Sequence, residues 1–490
     1  MKALRSVKIK DYAFIVLLAA LLFIPNLGLV HLFDWDEINF AESAREMIIS
    51  GNYSRVQIDY EPFWEKPPLF IWLQALSMKI FGINEFGARF PNAIAGILTL
   101  LSLYAIGFRF FNRKLAILWV LAHSGSLLSH LYFKSGIIDP YFNLFMFLAV
   151  VFGYSSFERK NIIYYFYSGM FCGLAILTKG PVGLLLPLLT ILISALIFRR
   201  SYRIKPGGVG LFILAVLVFS FAWYGIETIK NGIWFIREFI EYQIYLASHA
   251  GAGHKQPFYY HFLVVLIGMF PASILALGSL KLNIKESEGQ NRFRIFMIIL
   301  LCVVLGVFTI VQTKIVHYSS LTYFPISFLA AHFIYYSVLQ SRYIHWRIYQ
   351  SFLYVLIGLV LGLVMFLLPL VIKYKDRWID TIKDPFAAEN LRADVHWSGY
   401  ESMIGLLLLL AVVISFIFII KPQLRTKGFV LASASTILCT QLFLITFVPK
   451  IEGYSQRAAI EFFEKNSDSE TLIKVLGHKS YAQYFYGKVL

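Results

Sequence analysis

Apolar runs recur along the whole chain, separated by short polar stretches. Runs of about 18–25 residues match the length a helix needs to cross a hydrocarbon core of roughly 30 Å. A helix also satisfies its backbone polar groups internally, which lipid requires. Hydropathy predicts thirteen spans, near 12–31, 90–108, 115–133, 140–157, 162–178, 181–198, 208–226, 258–280, 293–311, 318–339, 348–372, 402–420 and 428–448. The fold class expected is an all-α polytopic membrane protein.

Two regions depart from this pattern. Residues 32–89 form a long polar connection after the first span. Within it, Phe40, Ala41, Ala44, Met47 and Ile48 repeat at helical spacing and predict an amphipathic helix over 35–50. Asp34 is the expected N-cap, with Glu37 three residues on and Gly51 as the stop. Pro67-Pro68 opens a second helix, LFIWLQALSMKIF, closing near Gly82. Both helices are expected to lie at the membrane surface and roof a cavity. The second region, 449–490, is polar, with a helical stretch and a strand-like TLIKVL. The expected organisation is a transmembrane domain over 1–448 and a short extramembrane C-terminal segment over 449–490.

Composition agrees: of 490 residues, 58% are hydrophobic and only 15% charged. That excludes a soluble globular protein. The net charge of +16 does not imply nucleic acid, because the basic residues sit in short loops between spans. These are Arg109/Arg113/Lys114, Arg159/Lys160, Arg199/Arg200/Arg203/Lys205, Lys281/Lys285/Arg292/Arg294, Arg342/Arg347 and Lys421/Arg425/Lys427. With thirteen spans they share one side with the N-terminal Lys2, Arg5, Lys8 and Lys10, and that side is cytoplasmic by the positive-inside bias. The long connections 32–89, 227–257 and 373–401 and the tail then share the outer face. The N-terminus reads as an uncleaved first span. Cys172, Cys302 and Cys439 lie in apolar runs without ligand or disulfide spacing.

The polar groups that could carry chemistry gather in the outer connections. Asp36-Glu37 offers a carboxylate base, against a simpler role in helix capping. Glu65-Lys66-Pro67-Pro68 offers a cation for a phosphate, held by prolines, against a surface ion pair. Three outer turns follow: Lys134 to Pro140, containing Asp139; Thr178-Lys179-Gly180-Pro181; and Lys314-Ile315-Val316-His317-Tyr318. Each lysine alone could snorkel, which suits Lys134 best. Three basic turns on the outer face point to a shared anion. The segment Glu241…His249…His254-Lys255-Gln256-Pro257-Phe258-Tyr259-Tyr260-His261 has no metal-ligand spacing and reads best as an aromatic belt.

Taken in order, Asp36-Glu37, Phe63-Trp64-Glu65-Lys66-Pro67-Pro68-Leu69, Asp139-Pro140, Leu177-Thr178-Lys179-Gly180-Pro181, His254…Pro257-Phe258-Tyr259-Tyr260 and Lys314…Tyr318…Pro325 form a recognisable set. The set resembles the bacterial aminoarabinose–lipid A transferases and the related protein O-mannosyltransferases, which are GT-C glycosyltransferases of the inner membrane. The resemblance covers residues 10–340 well and the tail weakly. It implies a GT-C fold with periplasmic juxtamembrane helices. It also implies sugar transfer from a polyprenyl-phosphate carrier to a lipid A, protein or glycan acceptor at the periplasmic face. Carried over, Asp36 is the candidate base with Glu37 beside it, and Asp139 is a second acid. Lys66, Lys179, Lys314 and Tyr318 are candidates for the carrier phosphate or sugar. Glu65 and His254 are candidates for a divalent cation; no other cofactor is implied. A single base with attack opposite the phosphate predicts inversion at the anomeric carbon. Where the lipid A enzymes tend to have Glu-His-x-x-Arg, this chain has Glu241-Tyr242-Gln243-Ile244-Tyr245. The rival reading is a transporter or flippase for a lipid-linked sugar. It would place acids and lysines along the spans, whereas here they collect at one face.

Overall fold

A computed structural model describes residues 2–63, 65–199, 204–248, 256–280, 286–339, 348–467, 473–476 and 480–488. It is built almost wholly of helices. In chain order these are α1 (Lys2–Phe23), α2 (Asp36–Ser50), α3 (Leu69–Phe81), α4 (Glu85–Phe110), α5 (Arg113–Ser124), α6 (Leu127–Phe133) and α7 (Asp139–Arg159). There follow α8 (Ile163–Lys179), α9 (Val182–Ile197), α10 (Pro206–Asn231), α11 (Trp234–Ser248), α12 (Tyr260–Gly268), α13 (Ala272–Ser279), α14 (Glu288–Ile310) and α15 (Tyr323–Leu339). The last are α16 (Ile348–Lys373), α17 (Pro385–Arg392), α18 (Ser402–Ile420), α19 (Arg425–Thr446), α20 (Val448–Ser455), α21 (Arg457–Lys465) and α22 (Ala482–Gly487).

Every predicted span falls on helix, but length and composition do not return thirteen crossings. Among the described residues, seven helices are long and apolar enough to cross a membrane, or nine if each bent pair counts once. The bent pairs are α5–α6, at 74°, and α12–α13, at 108°. Pro271 lies at the second break, and a proline interrupts the helical hydrogen-bond ladder. Helices α8 and α9, at 17 and 16 residues, fall short of that length. Pro25 follows the end of α1, which stops at Phe23, short of the predicted 31.

The main core lies among α1, α4, α5, α7, α14 and α15, around the fully buried Trp119, Tyr104, Tyr154, Phe147 and Phe293. A second core joins α2 and α3 to Trp223, Phe235 and Phe239 and to the C-terminal Ile460, Phe463, Phe485 and Tyr486. A third binds α16, α18 and α19.

The second core corrects two expectations. Helix α2 has no free polar face: residues 37–47 are all buried, including Glu42, Arg45 and Glu46. Its polar side is covered by a hairpin, β1 (Gln57–Ile58) and β2 (Glu61–Pro62), turned at Asp59 and Tyr60 with positive φ. Glu46 accepts both turn amides, from Asp59 at 2.6 Å and Tyr60 at 3.0 Å. Nor does the short C-terminal segment stand apart, because α21 and α22 complete this core. Residues 473–476 of the strand-like stretch carry no regular secondary structure. Asp34 does not cap α2; the helix starts at Asp36 without a side-chain cap. Gly51, in left-handed conformation, does end it, and α3 matches its predicted limits.

Candidate functional site

The site is made of helix ends. Asp36 opens α2, Asp139 opens α7 ahead of Pro140, and Lys179 closes α8. Acids at N-termini and a lysine at a C-terminus are the signs the helix dipole favours. Gly180 then turns the chain with φ of 90°, packed so closely on the Phe239 ring that a side chain there would collide. Lys66 lies in the segment before α3, which begins just beyond Pro67-Pro68. His317 and Tyr318 sit in a 3₁₀ turn, Val316–Thr322, between α14 and α15.

These ends converge. The Lys179 ammonium donates to Asp139 Oδ1 at 2.7 Å and stands 5.4 Å from the Tyr318 ring centre. The other Asp139 oxygen is buried and unpartnered by any described residue. Asp139 lines a cavity of about 110 Å³, together with Lys179, Gln243, His317 and Tyr318. Phe142, Met146, Leu186 and Phe308 give that cavity an apolar side. Lys66 lies 5.9 Å from the centre of the Tyr242 ring. Burial pulls the Lys66 pKa below the usual lysine value, while the carboxylates of Asp36 and Glu65 oppose that pull. Lys179 and Asp139 also lie within electrostatic reach of Lys66. Asp36, Glu65, Lys66, Asp139, Lys179 and Tyr318 therefore share one polar end of the bundle.

Three of the predicted residues sit differently. Glu37 is a neighbour of Asp36 in sequence only. Its two oxygens accept from Arg89 Nε at 2.9 Å, Arg89 Nη2 at 2.8 Å, Phe33 N at 2.8 Å and Gly136 N at 2.5 Å. A carboxylate with both oxygens doubly occupied holds structure. Lys314 is buried and donates to Val311 O at 2.7 Å, outside the cavity lining. His254 lies outside the described residues. Among those described, no three His, Cys, Asp or Glu side chains gather as metal ligands. Glu65 keeps company with Lys66, which competes with any cation for that carboxylate. Lys134 donates to Pro25 O at 2.6 Å, consistent with an anchoring role.

Several participants carry no local signal. Arg89 ends the polar connection 32–89, just before the predicted span 90–108, and belongs to no motif, yet it holds Glu37 and the carbonyls of Leu27, Val30 and His31. Gln243 and Tyr242 belong to the stretch that departs from the lipid A enzymes, and both face this end of the molecule. His317 lies in the third outer turn, where its sequence context assigns it no role, and it lines the cavity.

Comparison with known proteins places the fold and the sequence similarity. Residues 65–224 match the family described as dolichyl-phosphate-mannose-protein mannosyltransferase. An undecaprenyl phosphate-alpha-4-amino-4-deoxy-L-arabinose arabinosyl transferase of Pectobacterium atrosepticum is 28% identical over 366 residues, which are 73% of this chain and 64% of the relative. The enzyme of that name from Shewanella sediminis is 30% identical over 282 residues, 56% of this chain and 51% of the relative. The chain thus matches less than two thirds of the length of these relatives. The crystal structure of ArnT from Cupriavidus metallidurans bound to undecaprenyl phosphate superposes with a TM-score of 0.76 at 17% identity, covering 97% of this chain and 84% of that one. Its apo form gives 0.77. The chain has the fold of that transferase, and its sequence is similar to the undecaprenyl phosphate-aminoarabinose arabinosyl transferases.

Proposed function

We propose that this protein is a membrane-embedded, inverting glycosyltransferase that moves a sugar from a polyprenyl-phosphate carrier to a hydroxyl acceptor. The observation that carries the reading is the meeting of two lysines, three carboxylates and Tyr318 at one end of the bundle, beside a cavity with an apolar side. A carrier phosphate is already a leaving group. Breaking its bond to the anomeric carbon leaves the electron pair and a growing negative charge on the phosphate oxygen, and a fixed cation there lowers the barrier. Lys66 supplies that cation, with Lys179 behind it and the Tyr318 hydroxyl as a further donor. The acceptor oxygen bonds to the anomeric carbon from the opposite side, and its proton passes to Asp36. Asp139 holds Lys179 and keeps one oxygen for a sugar hydroxyl or amine. No step requires a divalent cation, and Glu65 serves Lys66.

The membrane is the bacterial inner membrane, with the N-terminus cytoplasmic and the site periplasmic. Supporting this, α4 and α7 run away from the site to end at Phe110 and Arg159, so Arg109, Arg113, Arg159 and Lys160 mark the opposite end. Helices α2 and α3 then lie at the periplasmic surface. The relatives' names give the donor, an undecaprenyl phosphate-linked 4-amino-4-deoxy-L-arabinose; lipid A is the acceptor that the resemblance implies, but Tyr242 and Tyr245 in place of a His and an Arg favour an acceptor with less phosphate.

The test is a reconstitution of purified protein with polyprenyl-phosphate sugars and envelope extracts, read by mass spectrometry. Transfer that disappears in Asp36→Asn, with carrier-linked sugar left intact, supports the reading. Movement of the carrier-linked sugar across the vesicle bilayer without transfer establishes the flippase instead.

A further inference from the structure

The tail has no counterpart in the chemistry above, yet it touches the two segments that lead to Asp36 and Lys66. Leu32 is fully buried, so its backbone groups require partners. Both partners come from the C-terminal segment. Leu32 N donates to the Tyr486 hydroxyl at 2.7 Å, and Leu32 O accepts from Gln456 Nε2 at 2.8 Å. Asp34 N donates to Gln456 Oε1 at 3.3 Å. His31 Nδ1 lies 2.8 Å from the buried carboxylate of Glu452, which Arg457 holds from the other side. The Arg89 guanidinium binds the preceding carbonyls up to His31. The entry to Asp36 is therefore held by a span on one side and by the tail on the other.

The tail also reaches the second segment. The Tyr481 ring centre is 5.1 Å from Trp35, which precedes Asp36, and 6.5 Å from Phe63, three residues before Lys66. The Tyr484 hydroxyl donates to Asp59 Oδ2 at 3.0 Å, at the hairpin turn between the two.

We propose that residues 448–467 and 480–488 of the C-terminal segment form a clamp that sets the spacing between Asp36 and Lys66, with Gln456 and Tyr481 as positioning residues; this rests on the transferase reading above. Lys66, Lys179 and Tyr318 anchor the carrier phosphate, and the last two lie outside the segments the tail holds, so carrier affinity depends little on the clamp. The rate does, because base and leaving group must be held in register, and an error of about 1 Å costs on the order of 10²-fold. Loosening the clamp lowers kcat and spares KM for the carrier.

Amide exchange and transfer kinetics on the full-length protein test this, using Gln456→Ala, Tyr481→Ala and Tyr481→Phe. The expected result is faster exchange at Leu32 and Asp34 in Gln456→Ala, and across 31–35 and 59–63 in Tyr481→Ala, with α7 and α14 unchanged. Both alanine variants then lose roughly tenfold or more in kcat with KM for the polyprenyl-phosphate sugar within about twofold, and Tyr481→Phe keeps the wild-type rate. Unchanged exchange overturns the clamp. So does faster exchange with an undiminished kcat, and so does a joint fall of kcat, carrier affinity and melting temperature, which marks a tail needed only for folding. A wild-type protein that transfers no sugar overturns the functional reading alone, because exchange still decides whether the tail holds these segments.

Discussion

Two acid–base pairs at the same end of the molecule differ in how far they are closed. Glu37 and Arg89 are both nearly inaccessible, and the carboxylate accepts four hydrogen bonds. Asp139 and Lys179 share one hydrogen bond, and the second carboxylate oxygen has no partner among the described residues while Asp139 lines a cavity. The closed pair leaves no capacity for a ligand, so its work is to hold the first loop against α4. The open pair retains an acceptor beside a cation, the arrangement a polar substrate needs. Burial alone does not separate the two, since Glu37 and Asp139 are both buried. Unused hydrogen-bonding capacity does.

Substitutions can break this contrast. The largest effect is expected on rate: Lys66→Ala and Asp36→Asn each lower transfer by about 10²–10³-fold, because each removes a group that meets charge in the transition state. Their melting temperatures stay near wild type, and unfolding of either variant would move that residue to the structural class. Next comes Glu37→Gln, which strands Arg89 in a buried site at a cost of about 3–5 kcal/mol. Thermal unfolding in detergent should show the loss, and a stable Glu37→Gln protein with no activity would instead give Glu37 a part in the reaction. Asp139→Asn keeps the shape of the open pair and removes its charge. It should slow transfer less than Lys66→Ala, by roughly tenfold, with KM for the carrier raised because Lys179 is no longer held. An unaltered KM would detach Asp139 from the carrier.

A smaller effect concerns pH. Glu46 faces Glu42, Arg45, Asp59 and Tyr60; burial and the Glu42 charge push its pKa from 4.5 up to about 8. The folded protein then binds a proton that the unfolded chain releases above 4.5. Stability is fully present below the unfolded value and falls as pH rises to about 8. Glu46→Gln should flatten that slope, as read by melting temperature against pH, and an unchanged slope would place its origin elsewhere. The smallest effect is expected at Lys314. Lys314→Met removes one hydrogen bond to Val311 O, far less than Lys66→Ala removes; a comparable loss of transfer would put Lys314 into the site.

The sequence by itself determined where helices lie, because apolar length and helical periodicity are local properties. It placed all thirteen apolar stretches, the limits of α3 and the Gly51 stop. It also set Asp36, Lys66, Asp139, Lys179 and Tyr318 in an ordered set of motifs. Only the tertiary structure decided which adjacent acid is spent, because the partner of Glu37 lies 52 residues away and that of Asp139 lies 40 away. It also decided that α2 is buried on every side and that the tail, more than 400 residues on, reaches the first loop. A hydrophobic pattern states which faces avoid water. It does not state what covers a polar face, since a buried ion pair and a solvated charge are written with the same residues.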